Sequence, residues 1–311
     1  MIYTVTLNPA LDKTVEIPSF AADSVNRITT MRTDPGGKGI NVSKVISKLG
    51  GQSIATGILG GDTGLAIQSA LKTMGLKTSF RFTEGETRTN LKVIDPVNHT
   101  NTDINEPGVT VSEEILNGLL AQLTAGLEKG DIVVLSGSLP KGSPRDTYYT
   151  WTGACKKAGA KVILDADGEL LEAGLKASTY LIKPNNHELS QLLGETLATP
   201  EELNKAARRL MEEHGIAKVV VSMGGKGALY VTQDETIYAE GLKVPVGSTV
   251  GAGDSVVAAL AVAEESGMGL EETVRLSTAT GGANVMCSGT QAAEYEVIQE
   301  LLPKVVFQKI Q

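Results

Sequence analysis

From residue 110 onward, short aliphatic runs alternate with longer segments whose apolar positions recur every three or four residues. The runs at 132–135, 161–164, 180–182 and 218–221 are brief and rich in Val, Ile and Leu, and read as buried strands. The segments at 113–127, up to about 157, and 200–213 carry helical spacing. Thr110 to Glu113 and Thr199 to Glu202 each place a hydroxyl three positions before a glutamate, which predicts two capping boxes; Pro200 fits the first helical position. Strand and helix alternating at this interval predict right-handed βαβ units and a parallel sheet.

The first third is less regular. Residues 2–7 and 53–59 read as strands, 42–49 and 65–74 as helices, with Gly50-Gly51 and Gly75 closing the helices. Between them, 15–31, 79–82 and 90–95 are short half-polar runs with no helix separating them. They predict a small β-layer at 11–34 and 81–106, set apart from a core built from 1–10, 35–80 and 107–311. A helix-like apolar run at 255–260 and helices at 270–287 and 293–302 complete the pattern.

Polar or glycine-rich residues follow strand after strand: Asn8 to Asp12, Ser136 to Ser138, Asp165, Lys183 to Glu188, and Ser222 to Gly227. All fall at the C-terminal edge of the expected sheet, where open α/β sheets bind ligands. Two glycine-rich turns feed helices. Residues 34–41 (Asp-Pro-Gly-Gly-Lys-Gly-Ile-Asn) carry Lys38 and Asn41 and match neither a P-loop nor a dinucleotide fingerprint. Residues 248–254 (Ser-Thr-Val-Gly-Ala-Gly-Asp) run straight into an apolar helix. Free amides at such an N-terminus can hold a phosphate, and Asp254 can either cap the helix or take a proton from an attacking hydroxyl. Gly-Gly-Lys-Gly occurs at 36–39 and again at 224–227 without wider similarity, so it marks no internal repeat.

Bulk properties narrow the class. A chain of 311 residues suits one large domain, or one with a small appendage. A formal charge of −8 without a basic run argues against a nucleic-acid partner. No apolar stretch approaches membrane-spanning length and no basic leader opens the chain, so neither a membrane segment nor a signal peptide is expected. Two distant cysteines and three scattered histidines suggest a reducing cytoplasm and no zinc site.

Asn8-Pro9-x-x-Asp12, Gly36-Gly37-Lys38-Gly39-Ile40-Asn41, Asn185-Asn186-His187-Glu188 and Thr249 to Asp254 follow one another in an order that resembles the ribokinase-like, or PfkB, carbohydrate kinases, in particular their hexose-phosphate branch. The resemblance spans essentially the whole chain. It implies a three-layer α/β/α core of nine or so strands with a mostly parallel sheet, and a β-sheet lid over the substrate site. It implies ATP, Mg²⁺ and a ketohexose monophosphate that becomes a 1,6-bisphosphate. Fructose 1-phosphate is favoured as acceptor; tagatose 6-phosphate is the alternative, and a non-catalytic sugar-phosphate sensor the outside one. By the same carry-over, Asp254 is the base, and the turn Gly251, Ala252, Gly253 and Asp254 is an anion hole. Asp12, Gly37, Lys38, Asn41, Arg88, Asn90 and Ser138 would hold substrate, with Lys38 and Arg88 on its existing phosphate. Lys183, Asn185, Ser222, Gly224, Gly225, Gly227, Gly251, Gly253 and Asn284 would hold ATP, and Glu188 would reach Mg²⁺ through water. Arg27 could reach a substrate only across a dimer interface, and the exposed lid suggests a homodimer joined through it.

Overall fold

The computed structural model describes residues 1–310. The chain opens with β1 (Ile2–Thr6), β2 (Ala10–Glu16), β3 (Thr30–Gly36), α1 (Lys38–Lys48), β4 (Ser53–Gly60), α2 (Gly61–Thr73), β5 (Lys77–Thr83), β6 (Arg88–Asp95) and β7 (Thr100–Asn105). Regular alternation follows: α3 (Glu113–Ala125), β8 (Ile132–Ser136), α4 (Thr147–Lys157), β9 (Lys161–Asp165), α5 (Gly168–Leu175), β10 (Leu181–Ile182), α6 (Asn186–Leu193), α7 (Pro200–His214) and β11 (Lys218–Ser222). The last part holds β12 (Gly227–Thr232), β13 (Thr236–Glu240), α8 (Ala252–Ser266), α9 (Leu270–Val285), α10 (Tyr295–Leu301) and β14 (Phe307–Ile310).

A ten-stranded sheet runs in the order β14-β13-β12-β11-β10-β9-β8-β1-β4-β5. Its strands are parallel from β5 to β11, and antiparallel beyond. Both faces are apolar because both are covered. Val133, Leu135, Val162, Leu164, Val219 and Val221 pack on one side against residues of α3 to α7 such as Leu119, Trp151 and Leu210. The alternating positions Ile132, Val134, Ile163 and Val220 pack on the other against Val45 and Ile46 of α1, Val257 and Leu260 of α8, and Val274 of α9. Period-two alternation of strand side chains thus feeds two cores from one run of aliphatics.

Strands β3-β2-β6-β7 make a separate four-stranded sheet in which β2 and β6 pair in parallel. Val15, Ile17 and Val93 form its own small apolar cluster, with Phe20 and Leu91 packed against it. Asp95 pins the covering segment by accepting hydrogen bonds from the Ser19 and Phe20 amides at 2.9 and 2.8 Å.

Several expectations need correction. β5 pairs in parallel with β4, so 81–83 belong to the large sheet and not to the small one. Within 15–31, residues 17–29 form a connection, and the strand pairing with β2 starts at Thr30. The glycine-rich stretch 34–41 is not one turn: β3 runs through Gly36 and helix α1 starts at Lys38. Ser112, not Thr110, caps α3, because its hydroxyl accepts from the Ile115 amide while Thr110 bridges to Lys141. The Thr199 capping box forms as expected. Helices α5 and α6 and strands β12 to β14 are additional to the sequence reading.

Tyr148, fully buried on α4, donates to the Gly137 carbonyl at 2.8 Å and so fixes the turn after β8. Tyr148→Phe is expected to cost about 1–2 kcal/mol by removing that donor without opening a cavity. Urea unfolding measures it; an unchanged midpoint would mean the bond contributes nothing net.

Candidate active site

The C-terminal ends of β1 and β8, the first turns of α1 and α8, and one face of the small sheet enclose a polar cleft of about 460 Å³. Asp12, Gly37, Lys38, Asn41, Arg88, Asn90, Ser138, Gly251 and Asp254 all line it. Of the six buried side-chain oxygens that lack a hydrogen-bond partner among the described residues, those of Thr6, Asn41, Asn90 and Ser136 belong to cleft residues. Unpaired buried polar atoms are costly in a folded chain. Their concentration here points to a polyhydroxylated or charged ligand.

Glycine lets α1 approach β1 closely. Gly37 sits at φ +109°, and a Cβ there would stand 2.6 Å from the Thr6 methyl; a Cβ on Gly39 would stand 2.7 Å from the Val5 carbonyl oxygen. The first turn of α1 therefore lies against the end of β1, and Asn41 donates to an Asp254 carboxylate oxygen at 2.8 Å. Asp254 is buried in the first turn of α8. The first helical hydrogen bond of α8 is Ser255 N–H to the Gly251 carbonyl, and Ala252 N–H makes only a long 3.4 Å bond to the Thr249 carbonyl. The amides of Gly253 and Asp254 precede that ladder, so they remain helix-terminal donors with the positive end of the dipole behind them.

A second carboxylate organises the cations. Asp165, at the end of β9, lies 3.3 Å from the Lys183 ammonium and 3.5 Å from that of Lys38. Burial opposes its charge, yet Lys183 and then Lys38 outweigh burial and hold its carboxyl below the ordinary range. Burial likewise works against the Lys38 ammonium, but Asp165 and Asp254 keep its pKa above the usual lysine value. Burial first, then the Asp165 charge, push the Asp254 carboxyl up to about 6, against the pull of Asn41, Lys38 and Lys183. Lys38 is thus tied to the Lys183 side of the cleft and not free at its far end.

On the small sheet, Asp12 accepts from the Asn90 amide at 3.0 Å, and burial raises its carboxyl pKa. The Arg88 guanidinium is anchored by the Asn8 carbonyl at 3.0 Å and the Pro9 carbonyl at 3.4 Å. Asn8 also donates to the Ser138 hydroxyl at 3.5 Å.

The residues expected at a nucleotide are more dispersed. Lys183 joins the cluster through Asp165, and a Cβ on Gly253 would lie 3.5 Å from its ammonium. Asn284 donates to the Val250 carbonyl at 3.3 Å, beneath the 249–254 turn. Asn185 bridges to Ser222, and its side chain caps α6 in a box closed by Glu188 Oε2 on the Asn185 amide at 2.8 Å. Gly224 and Gly225 open a single 3₁₀ turn beside free space, whereas Gly227 is required by strand pairing, since a Cβ there would collide with the Ala239 carbonyl. The two Gly-Gly-Lys-Gly copies therefore adopt unrelated conformations.

Sequence reasoning overlooked Thr6, Thr14, Lys92, Asp103, Asn105 and Asp167 in the lining. It also overlooked Lys44, whose ammonium donates to the Pro35 and Thr290 carbonyls at 3.0 and 3.2 Å. Burial lowers that lysine's pKa despite Asp34 and Asp12 nearby. Period-two spacing from Asp12 and Asn90 was the signal for Thr14 and Lys92, whereas Asp103 and Asn105 join them only through the register of β6 with β7.

Comparison with known proteins finds relatives along nearly the whole chain. The family profile described as pfkB family carbohydrate kinase matches residues 5–296. The 1-phosphofructokinase of Bacillus subtilis (strain 168) is 39% identical over 305 residues, 98% of this chain and 98% of its own. That of Rhodobacter capsulatus is 41% identical over 279 residues, 89% of this chain and 88% of its own. Among solved structures, phosphofructokinase-2 from Escherichia coli in complex with fructose-6-phosphate superposes with a TM-score of 0.91 at 33% identity, covering 97% of this chain and 98% of that one.

The raised pKa has two consequences for Asp254. A ¹³C-carboxyl titration is expected to give a midpoint near 6, higher still in Asn41→Ala, which loses the donor that favours the charged form. A midpoint near the ordinary value of about 4 would contradict the burial argument. The folded pKa lies above the unfolded one, so ionisation costs stability, increasingly as pH rises from about 4 through 6. Asp254→Asn should consequently melt no lower than the parent above pH 7.

Proposed function

The chain belongs to the pfkB family of carbohydrate kinases, and from that premise we propose that it transfers the γ-phosphoryl group of ATP to the 6-hydroxyl of fructose 1-phosphate, giving fructose 1,6-bisphosphate and ADP. The observation that carries this reading is the buried Asp254 carboxylate in the first turn of α8, oriented by Asn41 and opening onto the polar cleft. The proton of the acceptor hydroxyl passes to Asp254, its oxygen forms a bond to the γ-phosphorus, and the bond from that phosphorus to the β,γ-bridging oxygen breaks. The amides of Ala252, Gly253 and Asp254 receive the charge on the equatorial oxygens, with no reorganisation needed as it develops. A carboxyl with a pKa of about 6 is ionised at neutral pH yet basic enough to accept the proton.

Asp12, Asn41, Asn90, Ser138 and the Gly37 backbone hold sugar hydroxyls, and Arg88 faces the substrate's phosphate. The tie of Lys38 to Asp165, which Lys183 shares, supports a role for both lysines beside the migrating phosphoryl in place of one on the substrate's existing phosphate. Asn185, Ser222, Gly224, Gly225, Gly227, Gly251 and Asn284 border the nucleotide. Glu188 uses Oε2 to close its capping box and leaves Oε1 free, a hard oxygen that fits Mg²⁺ through bridging water. Bound there, Mg²⁺ would neutralise charge on the triphosphate.

Six curated relatives named 1-phosphofructokinase, at 33–41% identity, favour fructose 1-phosphate. The Escherichia coli structure holding fructose-6-phosphate favours that isomer as the second reading. Tagatose 6-phosphate remains the epimeric alternative. Met31 and Ile104 on the small sheet and Val25 and Ile28 in the adjoining connection are exposed apolar side chains, and they support a homodimer formed through this sheet. Among the described residues no helix is long and apolar enough to cross a membrane. The two cysteines are free thiols, in keeping with a reducing cytoplasm.

Side-by-side kcat/KM for fructose 1-phosphate, fructose 6-phosphate and tagatose 6-phosphate tests the substrate; preference for either of the last two overturns it. Asp254→Asn should lower kcat about 10²- to 10⁴-fold with ATP affinity retained, and kcat/KM of the parent should lose activity on the acid side of pH 6. A variant with near-parental kcat removes Asp254 from the role of base.

A further inference from the structure

Three cations line the cleft: Lys38, Arg88 and Lys92. Lys38 is ion-paired to Asp165, and Arg88 is held by main-chain carbonyls. Lys92 forms no ion pair and no side-chain hydrogen bond among the described residues, although it is half-buried. Its placement follows from strand register. Arg88, Asn90 and Lys92 alternate along β6 and so share the cleft face, while Leu91 and Val93 turn to the apolar cluster behind. Across the small sheet, Asn90 stands between Asp12 and Asn105, and Lys92 between Thr14 and Asp103. Arg88 and Lys92 therefore flank Asn90 at roughly 7 Å of strand on either side. Both side chains are long enough to meet an anion seated over Asn90. The Asn90 Oδ1 atom is itself buried without a partner, beside the Asp12 carboxylate that its amide engages.

Building on the kinase reading, we propose that Lys92 recognises the phosphate the substrate already carries, opposite Arg88, and so makes the enzyme selective for phosphorylated over free ketohexose. The dianion finds one cation anchored rigidly by carbonyls and one whose charge is unspent. Thr14 and Asn105 add neutral donors on the same face. Asp103, exposed across from Lys92, opposes the incoming phosphate and disfavours binding where no cation compensates it.

The test compares Lys92→Met, Lys92→Arg and Asp103→Asn with the parent, using fructose 1-phosphate and unphosphorylated fructose as acceptors at saturating Mg-ATP. Lys92→Met should raise KM for fructose 1-phosphate about 10- to 100-fold, with kcat within about threefold and kcat/KM for fructose unchanged. Lys92→Arg should restore most of the loss, and Asp103→Asn should lower KM for fructose 1-phosphate. A merely structural role would depress both acceptors equally and leave Asp103→Asn without effect; that pattern, or an unchanged KM in Lys92→Met, overturns the proposal while leaving the kinase reading intact. A parent inactive on every sugar phosphate overturns both. Should Lys92→Met fail to fold, the Asp103→Asn and Lys92→Arg arms still decide.

Discussion

Two buried carboxylates at the top of one sheet cannot both ionise without help, and the surroundings of this cleft are arranged around that difficulty. Asp165 is granted two lysines and stays charged, whereas Asp254 receives one amide and a share of the same lysines and is left basic. The difference comes from chain placement. Asp165 ends a central strand and meets Lys183 from the neighbouring strand end, while Asp254 sits in the first turn of a helix against Asn41. Close seating of α1 on β1 through Gly37 and Gly39 brings Asn41 and Lys38 within reach. Loosening either helix would change the electrostatics before it changed the fold.

The large sheet serves this arrangement by being apolar on both sides. Its two cores fix the strand ends so that residues from β1, β8, β9 and β10 converge although they lie far apart in the chain. Along β8 to β11 polar side chains sit only at the strand ends, so one edge of the molecule concentrates chemistry and the opposite edge is occupied by structural clusters such as Glu264 with Lys161, Lys218 and Tyr180.

Much of this was legible in the sequence, for a physical reason. Runs such as Ile132 to Leu135 cannot be exposed, and their spacing admits parallel crossovers and little else. The 249–254 turn and Asn41 were visible because glycine beside polar residues at a helix start has few structural uses. What escaped depended on pairing. β12 and β13 extend the sheet as a short hairpin, and β14 joins from the far end of the chain. Asn185 and Glu188 read as a ligand motif and prove also to be a helix cap. Lys92 and Asn105 share a face with Asp12 only once register is known, and a strand at 79–82 belongs to either sheet until its neighbour is identified.

The small sheet is assembled from two excursions, one between β1 and α1 and one between β5 and α3, stitched together by the parallel pairing of β2 with β6. It therefore has four strands of polypeptide leading back into the core, with positive-φ glycines at Gly37, Gly85 and Gly108 near those crossings. Such a piece cannot be cut out, transplanted or exchanged as a cassette, because neither excursion closes a sheet alone. A lineage altering what the cleft accepts is confined to single replacements on alternating strand positions, with the hydrogen-bonded frame carried through unchanged.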